Sequence, residues 1–188
     1  MILYDYEHAI GQDSHRFVEM LANGRPKDPK DNTRLMLGGY YIADGKPLQA
    51  NSDGDVMLHA LTNAISGITC VNILGEIADR LCREEGIKDS KEFLLLALRY
   101  LNGGQITHVS FSLEGRYPIL APHIENIRQS IANILQISPS SIGITATSGE
   151  ALTSFGRGEG IMCICSVTVR RPYASFGEHL LSSNPLEL

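Results

Sequence analysis

Asp13 and His15 stand two residues apart in Ile10-Gly-Gln-Asp-Ser-His-Arg-Phe17, and a second imidazole closes the run Asn51-Ser-Asp-Gly-Asp-Val-Met-Leu-His59. One carboxylate and two imidazoles make a donor set suited to zinc or another divalent transition metal. Three protein donors leave a coordination position for a substrate oxygen, which is the arrangement of a catalytic ion rather than a scaffolding one. D-x-H is a common pattern, however, and the plainer alternative is a surface histidine on a strand with a core histidine on an apolar helix.

An extended segment puts both residues of D-x-H on one face, because side chains alternate with period two. The third donor requires a helix. Ser52 or Asp53 offers an N-cap, Val56, Ala60, Leu61, Ala64 and Ile65 form an apolar stripe, and His59 then lies about one and a half turns inside. Further strand-like runs fall at about 6–13, 34–43, 106–114, 141–147 and 160–170, and helical periodicity at about 53–68, 73–86, 90–101 and 121–136. Residues 24–33 read as a surface loop, Leu37-Gly-Gly-Tyr40 as a bend or bulge within a strand region, and 138–141 as a helix-to-strand link. The mixed order predicts an α+β fold, a single-domain mixed sheet with helices on one face. Its other face would be buried by a partner subunit.

The chain has 188 residues, 43% hydrophobic and 20% charged, which fits one globular domain with a sizeable core, here 1–172, and a tail at 173–188. A formal net charge of -5 argues against a nucleic-acid binder while leaving room for a local phosphate pocket. No apolar run reaches the roughly 18 residues a membrane span needs, and residues 1–8 lack the basic and apolar regions of a signal peptide. The expectation is a cytoplasmic protein with a small-molecule partner, no nucleic acid and no membrane. Cys70, Cys82, Cys163 and Cys165 form no C-x-x-C pair and read as reduced thiols. Cys163 and Cys165, on one face of a strand-like run, fit small core residues better than a soft-metal site.

A second constellation runs from Thr145 to Gly160, Thr-Ala-Thr-Ser-Gly-Glu-Ala-Leu-Thr-Ser-Phe-Gly-Arg-Gly-Glu-Gly. Thr147, Ser148 and backbone N–H groups can donate to phosphate oxygens, and Glu150 could carry a hard cation such as magnesium. An ordinary capped turn, followed by a tight loop in which Arg157 and Glu159 form an ion pair, fits the same residues.

Taken in order, these motifs resemble the 2-C-methyl-D-erythritol 2,4-cyclodiphosphate synthase family. The resemblance rests on G-x-D-x-H-x-F (Gly11, Asp13, His15, Phe17), L-G-G at 37–39, S-D-G-D-V-x-x-H-A-L from Ser52 to Leu61, P-H-I at 122–124 and F-G-R-G-E-G-I from Phe155 to Ile161. It implies a homotrimer whose sheets pack around a three-fold axis, with active sites between subunits. Zn2+ or another divalent transition metal would be held by Asp13, His15 and His59, and Mg2+ or Mn2+ near Glu150. Asn51, Ser52, Thr147 and Ser148 would contact substrate phosphates, while Glu76, Pro118, Leu120 and Ala146 would hold the nucleotide. Arg157 and Glu159 would line a central channel. The implied reaction turns a 4-diphosphocytidyl-methylerythritol 2-phosphate into a cyclic diphosphate with loss of CMP.

This chain departs from the family pattern at several places. Asn51 replaces a histidine, Glu76 an aspartate and Ile119 a lysine, and helical-looking sequence at 78–86 takes the place of an F-P-D-T-D loop. Those changes keep two other readings open. One is a metal-dependent phosphotransferase or phosphohydrolase acting on another substrate, and the other a non-catalytic trimer that binds isoprenoid diphosphates. His123, opening a helix, is expected to cap or pack, and His108 to be structural.

Overall fold

Apolar side chains recur at alternate positions near the end of the chain, and the alternation is what burial follows. Ile161, Cys163, Cys165, Val167 and Val169 point inward from one strand, and Val109, Phe111 and Leu113 from its neighbour. The computed structural model describes residues 3–173. In chain order the elements are β1 (Tyr4–Arg16), β2 (Leu35–Leu37), β3 (Tyr40–Ile42), α1 (Val56–Thr69), α2 (Glu76–Glu84), α3 (Ser90–Arg99), β4 (Gln105–Glu114), α4 (Ile124–Leu135), β5 (Ile142–Thr147) and β6 (Gly160–Pro172). Short 3-10 turns lie at Pro139–Ser141 and Gly149–Ala151. The expected tail at 173–188 falls, apart from Tyr173, outside the described residues.

The main sheet has the order β1-β6-β4-β5. β6 runs antiparallel to both β1 and β4, while β4 and β5 are parallel, with α4 in the crossover between them. The fold is therefore α+β with a mixed sheet, as expected. α1 lies on β1 and β6, α4 packs on β5, and α3 packs on α1. All of the stripe residues Val56, Ala60, Leu61, Ala64 and Ile65 are fully buried. On the opposite face Tyr6 and Ile10 of β1 are 58% and 74% exposed, beside Ile164 of β6.

Two local expectations need correction. The run 34–43 is a hairpin rather than one bent strand: β2 and β3 pair antiparallel around Gly38 and Gly39, whose φ angles are +62° and +73°. Two successive positive φ values are what a tight two-residue turn requires, and glycine supplies them without a Cβ clash. The N-cap of α1 is Asp55, not Ser52 or Asp53. Its buried carboxylate accepts from Met57 N (3.1 Å) and Leu58 N (3.0 Å) at the helix start, and from Gly38 N (2.9 Å) and Gly39 N (2.6 Å) in the hairpin turn. Only the third acidic or hydroxyl residue of S-D-G-D can reach both sets of donors. Burial and the neighbouring Asp53 charge raise this carboxyl above its ordinary value, and the N–H donors oppose the rise.

The later cap moves His59 to the fourth helical position, about one turn inside α1, where its N–H donates to the Asp55 carbonyl (3.0 Å). His123 occupies the N-cap position of α4, yet its side chain makes no capping bond. It packs against Tyr40 and lies 3.5 Å from Asp44, so the packing alternative holds. Cys163 and Cys165 are core residues. His108 is exposed beside a β-bulge in β4, with no buried structural role.

Candidate metal centre

β1 carries Asp13 and His15 on the face turned toward α1, opposite Cys163 and Ile161 of β6, and α1 brings His59 down onto them. Gly11 lets the strand and helix approach closely, and Asn63, one turn beyond His59, donates to the Gln12 carbonyl (3.0 Å). The three donor atoms converge. Asp13 Oδ2 is 3.0 Å from His59 Nδ1 and 3.1 Å from His15 Nε2, and the two imidazole nitrogens are 3.5 Å apart.

Zinc–nitrogen and zinc–oxygen bonds of about 2.0–2.1 Å at tetrahedral angles put neighbouring donors about 3.3 Å apart. The observed triangle matches that edge length, so the residues present fit a divalent transition metal. Among the described residues it is the one cluster of three or more acidic, histidine or cysteine ligands close enough to hold an ion. Burial acts to raise the Asp13 carboxyl, but hydrogen bonds and charge attraction from His15 and His59 outweigh it and hold the group well below the ordinary carboxylate range. A donor that stays ionised is what a metal needs.

The triangle opens on a cleft of about 200 Å³ lined also by Asn51, Ser52, Asn63, Gly75, Ala78, Asp79, Cys82 and Phe93. Asn51 is exposed at its lip. Ser52 is buried, with its hydroxyl 3.3 Å from His59 Nε2. Asp79 and Cys82 come from α2, which stands where the sequence departs from the family's loop. Neither was anticipated. Their i, i+3 spacing on a helix beside Gly75 is the available signal, and only the cleft they share with His59 and Phe93 gives it meaning.

Pro118, Leu120, Ala146, Thr147 and Ser148 also come together, lining a separate cavity of about 320 Å³ with Arg116 and Ile119. Glu150 is not among the donors near Asp13 in this chain; it is exposed, and Ser148 Oγ donates to its carboxylate (3.0 Å). Glu76 is exposed at the start of α2, outside both cavities. Arg157 and Glu159 form the ion pair that the tight-loop alternative anticipates, with 3.2 Å between Nε and Oε1. Ser90 is a neighbour of the metal-donor set that sequence reasoning missed altogether. It is fully buried at the first position of α3, and its hydroxyl lies 2.8 Å from His59 Nε2.

A family model described as the YgbB family matches residues 6–170. The 2-C-methyl-D-erythritol 2,4-cyclodiphosphate synthase of Chlamydia muridarum is 45% identical over 166 residues, covering 87% of this chain and 88% of that protein. The synthase of Chlamydia caviae is 44% identical over 165 residues, with 87% and 89% covered. Among solved structures, the bifunctional IspDF of Campylobacter jejuni is similar with a TM-score of 0.75 at 26% identity, covering 89% of this chain and 43% of that one. A 2C-methyl-D-erythritol-2,4-cyclodiphosphate synthase in a CDP-bound form is similar with a TM-score of 0.69 at 26% identity, covering 87% and 99%.

Proposed function

The chain belongs to the YgbB family, and from that membership and the Asp13–His15–His59 triangle we infer that it is a 2-C-methyl-D-erythritol 2,4-cyclodiphosphate synthase, a phosphorus–oxygen lyase of isoprenoid biosynthesis. The convergence of three metal donors on one cleft is the observation that carries this reading. The substrate is 4-diphosphocytidyl-2-C-methyl-D-erythritol 2-phosphate. Its 2-phosphate oxygen bonds to the β-phosphorus, the bond from that phosphorus to the bridging oxygen breaks, and CMP leaves with the electron pair. A related synthase solved in a CDP-bound form supports the cytidyl group.

The nucleophile is already an ionised phosphate, so the protein has no need of a general base and no Ser-His-Asp triad. Zn2+ at the triangle would supply Lewis-acid polarisation of a phosphoryl oxygen, and Mg2+ or Mn2+ near Glu150 would offset phosphate repulsion. A single exposed carboxylate suits magnesium, which is commonly held by one or two carboxylates, substrate phosphates and water. Asp13, kept ionised by its imidazole neighbours, holds the donor set in its metal-binding form. Asn51 at the cleft lip can donate an amide N–H to a phosphate oxygen, and Thr147 and Ser148 present hydroxyls beside the second cavity. Pro118, Leu120 and Ala146 in that cavity offer walls and backbone groups to the cytosine, where Ile119 stands in place of a basic donor. Ser52, facing His59, would act on the phosphates only through its backbone.

A homotrimer is proposed on the open sheet face, where exposed Tyr6 and Ile10 lie beside Ile164. In it Glu76 and Glu150 would meet substrate held across subunits, with Arg157 and Glu159 facing the central channel. A cytoplasmic location is supported by four cysteines without a disulfide. No helix among the described residues is long and apolar enough to cross a membrane.

Incubating the purified protein with the cytidyl substrate and magnesium, and following products by mass spectrometry, tests the reading. CMP and cyclic diphosphate in equal amounts are expected. CMP without the cyclic product would instead support a phosphohydrolase, and no turnover with tight prenyl-diphosphate binding a non-catalytic trimer.

A further inference from the structure

We propose that Ser90 and Asp53 form a positioning relay that fixes the tautomer and orientation of the His59 ring, so that Nδ1 is presented to the metal; the proposal rests on the metal-site reading above.

The ring has two different environments. Nδ1 faces the triangle, 3.0 Å from Asp13 Oδ2, whereas Nε2 points away from it to Ser90 Oγ at 2.8 Å, with Ser52 Oγ farther off at 3.3 Å. A neutral imidazole carries its proton on one nitrogen, and only the other can ligate a metal. Ser90 is fully buried and His59 only 7% exposed, so water is a poor alternative partner for Nε2. The direction of the bonds then follows from donor counting. The Ser90 hydroxyl has one hydrogen, and its close neighbour Asp53 Oδ1 is a carboxylate oxygen that accepts it. The hydroxyl lone pairs are left to accept from His59 Nε2–H, so Nδ1, 3.0 Å from Asp13 Oδ2, is the nitrogen that a metal can take.

Asp53 is itself held. Its carboxylate accepts from Ser90 N (3.2 Å) and Asp55 N (3.2 Å), and its own N–H donates to the Lys88 carbonyl (2.8 Å). The relay thus ties the start of α3 to the loop before α1, and Phe93 of α3 lies 6.3 Å centroid to centroid from the same imidazole. Among the described residues His15 has no comparable hydrogen bond on its other ring nitrogen, so the bias acts on His59 alone.

The test is zinc affinity of the metal-free protein by chelator competition, for wild type, Ser90→Ala, Asp53→Asn and the double variant, with the His59 tautomer read from long-range 1H–15N NMR. Loss of an outer-shell partner of a metal-bound histidine lowers affinity about 10- to 100-fold, and that loss is expected for Ser90→Ala. Asp53→Asn, whose amide cannot accept every bond that the carboxylate accepts, should weaken binding in the same direction. The double variant should be no weaker than Ser90→Ala, because both act through one hydroxyl. His59 Nε2 is expected to carry a proton in wild type and to lose it in part of the molecules in the variants. Zinc affinity and tautomer unchanged in either folded single variant, or losses that simply add in the double, would overturn the relay and leave the metal site intact. Failure of the wild-type protein to bind zinc would instead overturn the metal-site reading.

Discussion

Replacing Gly11 by alanine should separate the two elements that build the metal centre. Gly11 is buried in β1, paired with Cys165, and faces the backbone of α1. A Cβ there would lie 2.2 Å from the Ala60 carbonyl oxygen, 2.3 Å from Ala64 N and 2.8 Å from the Asn63 carbonyl carbon. All three are backbone atoms of one helix, so no side chain can rotate away. Bringing the shortest contact out to even 3.0 Å requires strand and helix to part by about 0.8 Å. His59 immediately precedes Ala60 and would travel with it.

An edge of the ligand triangle that is now 3.0 Å would approach about 3.8 Å, which opens the angle at a metal with ~2.1 Å bonds to about 130°, far from tetrahedral. Rebuilding the triangle means restoring the clash, so the overpacking energy of about 1–3 kcal/mol is set against metal binding. That corresponds to a loss of about 5- to 150-fold in zinc affinity. Gly67, also at the interface of α1 with β1, is the control. Its Cβ would meet the side-chain carbon of Ala9 at 3.1 Å, and Gly→Ala within a helix gains up to about 1 kcal/mol, so Gly67→Ala should match wild type closely. Chelator competition gives affinity and urea unfolding gives stability. A folded Gly11→Ala protein with wild-type zinc affinity would refute the reasoning.

Asp55→Ala removes the acceptor for four buried or half-buried N–H groups at once, and should cost about 3 kcal/mol or more in urea unfolding, since a lost cap costs about 1 kcal/mol and each orphaned donor about 1–3. A cost under 1 kcal/mol would contradict its bridging role between the hairpin and α1. The lowered Asp13 carboxyl has a definite sign: its ionised form stabilises the fold, fully so above the ordinary value of 3.8, and that contribution disappears as pH falls below it. The stability difference between metal-free wild type and Asp13→Asn should therefore be present at pH 6 and shrink as pH falls below 3.8; a difference that grows on acidification would be the wrong sign. Burial pushes the Cys163 and Cys165 thiols well up, whereas Cys70 is exposed and Cys82 half-buried. A thiol reagent at pH 8 should modify Cys70 quickly and Cys82 more slowly, reaching the other two only on denaturation.

Regular elements were readable from the sequence wherever one face alone is buried. Alternation marks β6 and β4, and the stripe from Val56 to Ile65 marks α1, because burial imposes periods of two and 3.6 on those residues. The hairpin at Leu35–Ile42 was not, since a two-residue glycine turn interrupts an apolar run without changing its composition. D-x-H already implies a shared face on β1, so two of the three metal donors could be paired from spacing. Residue type made His59 a candidate third donor, but spacing alone left a core histidine as an equal alternative until the resemblance was added, because the approach of α1 to β1 depends on the missing side chain at Gly11. Asp55 and Asp53 look alike in S-D-G-D, yet one binds the hairpin turn and the other Ser90. Their partners lie 16 to 37 positions away in the chain, beyond any local pattern.

The central claim is that the Asp13–His15–His59 triangle holds the metal on which CMP-releasing cyclisation depends. Titrating zinc into metal-free protein in the presence of magnesium and cytidyl substrate, with cyclic diphosphate measured at each step, tests it most directly. Product formation should rise to a plateau at one zinc per chain and be absent at every zinc concentration in His59→Ala. Full turnover by the metal-free protein, or by His59→Ala, would contradict it.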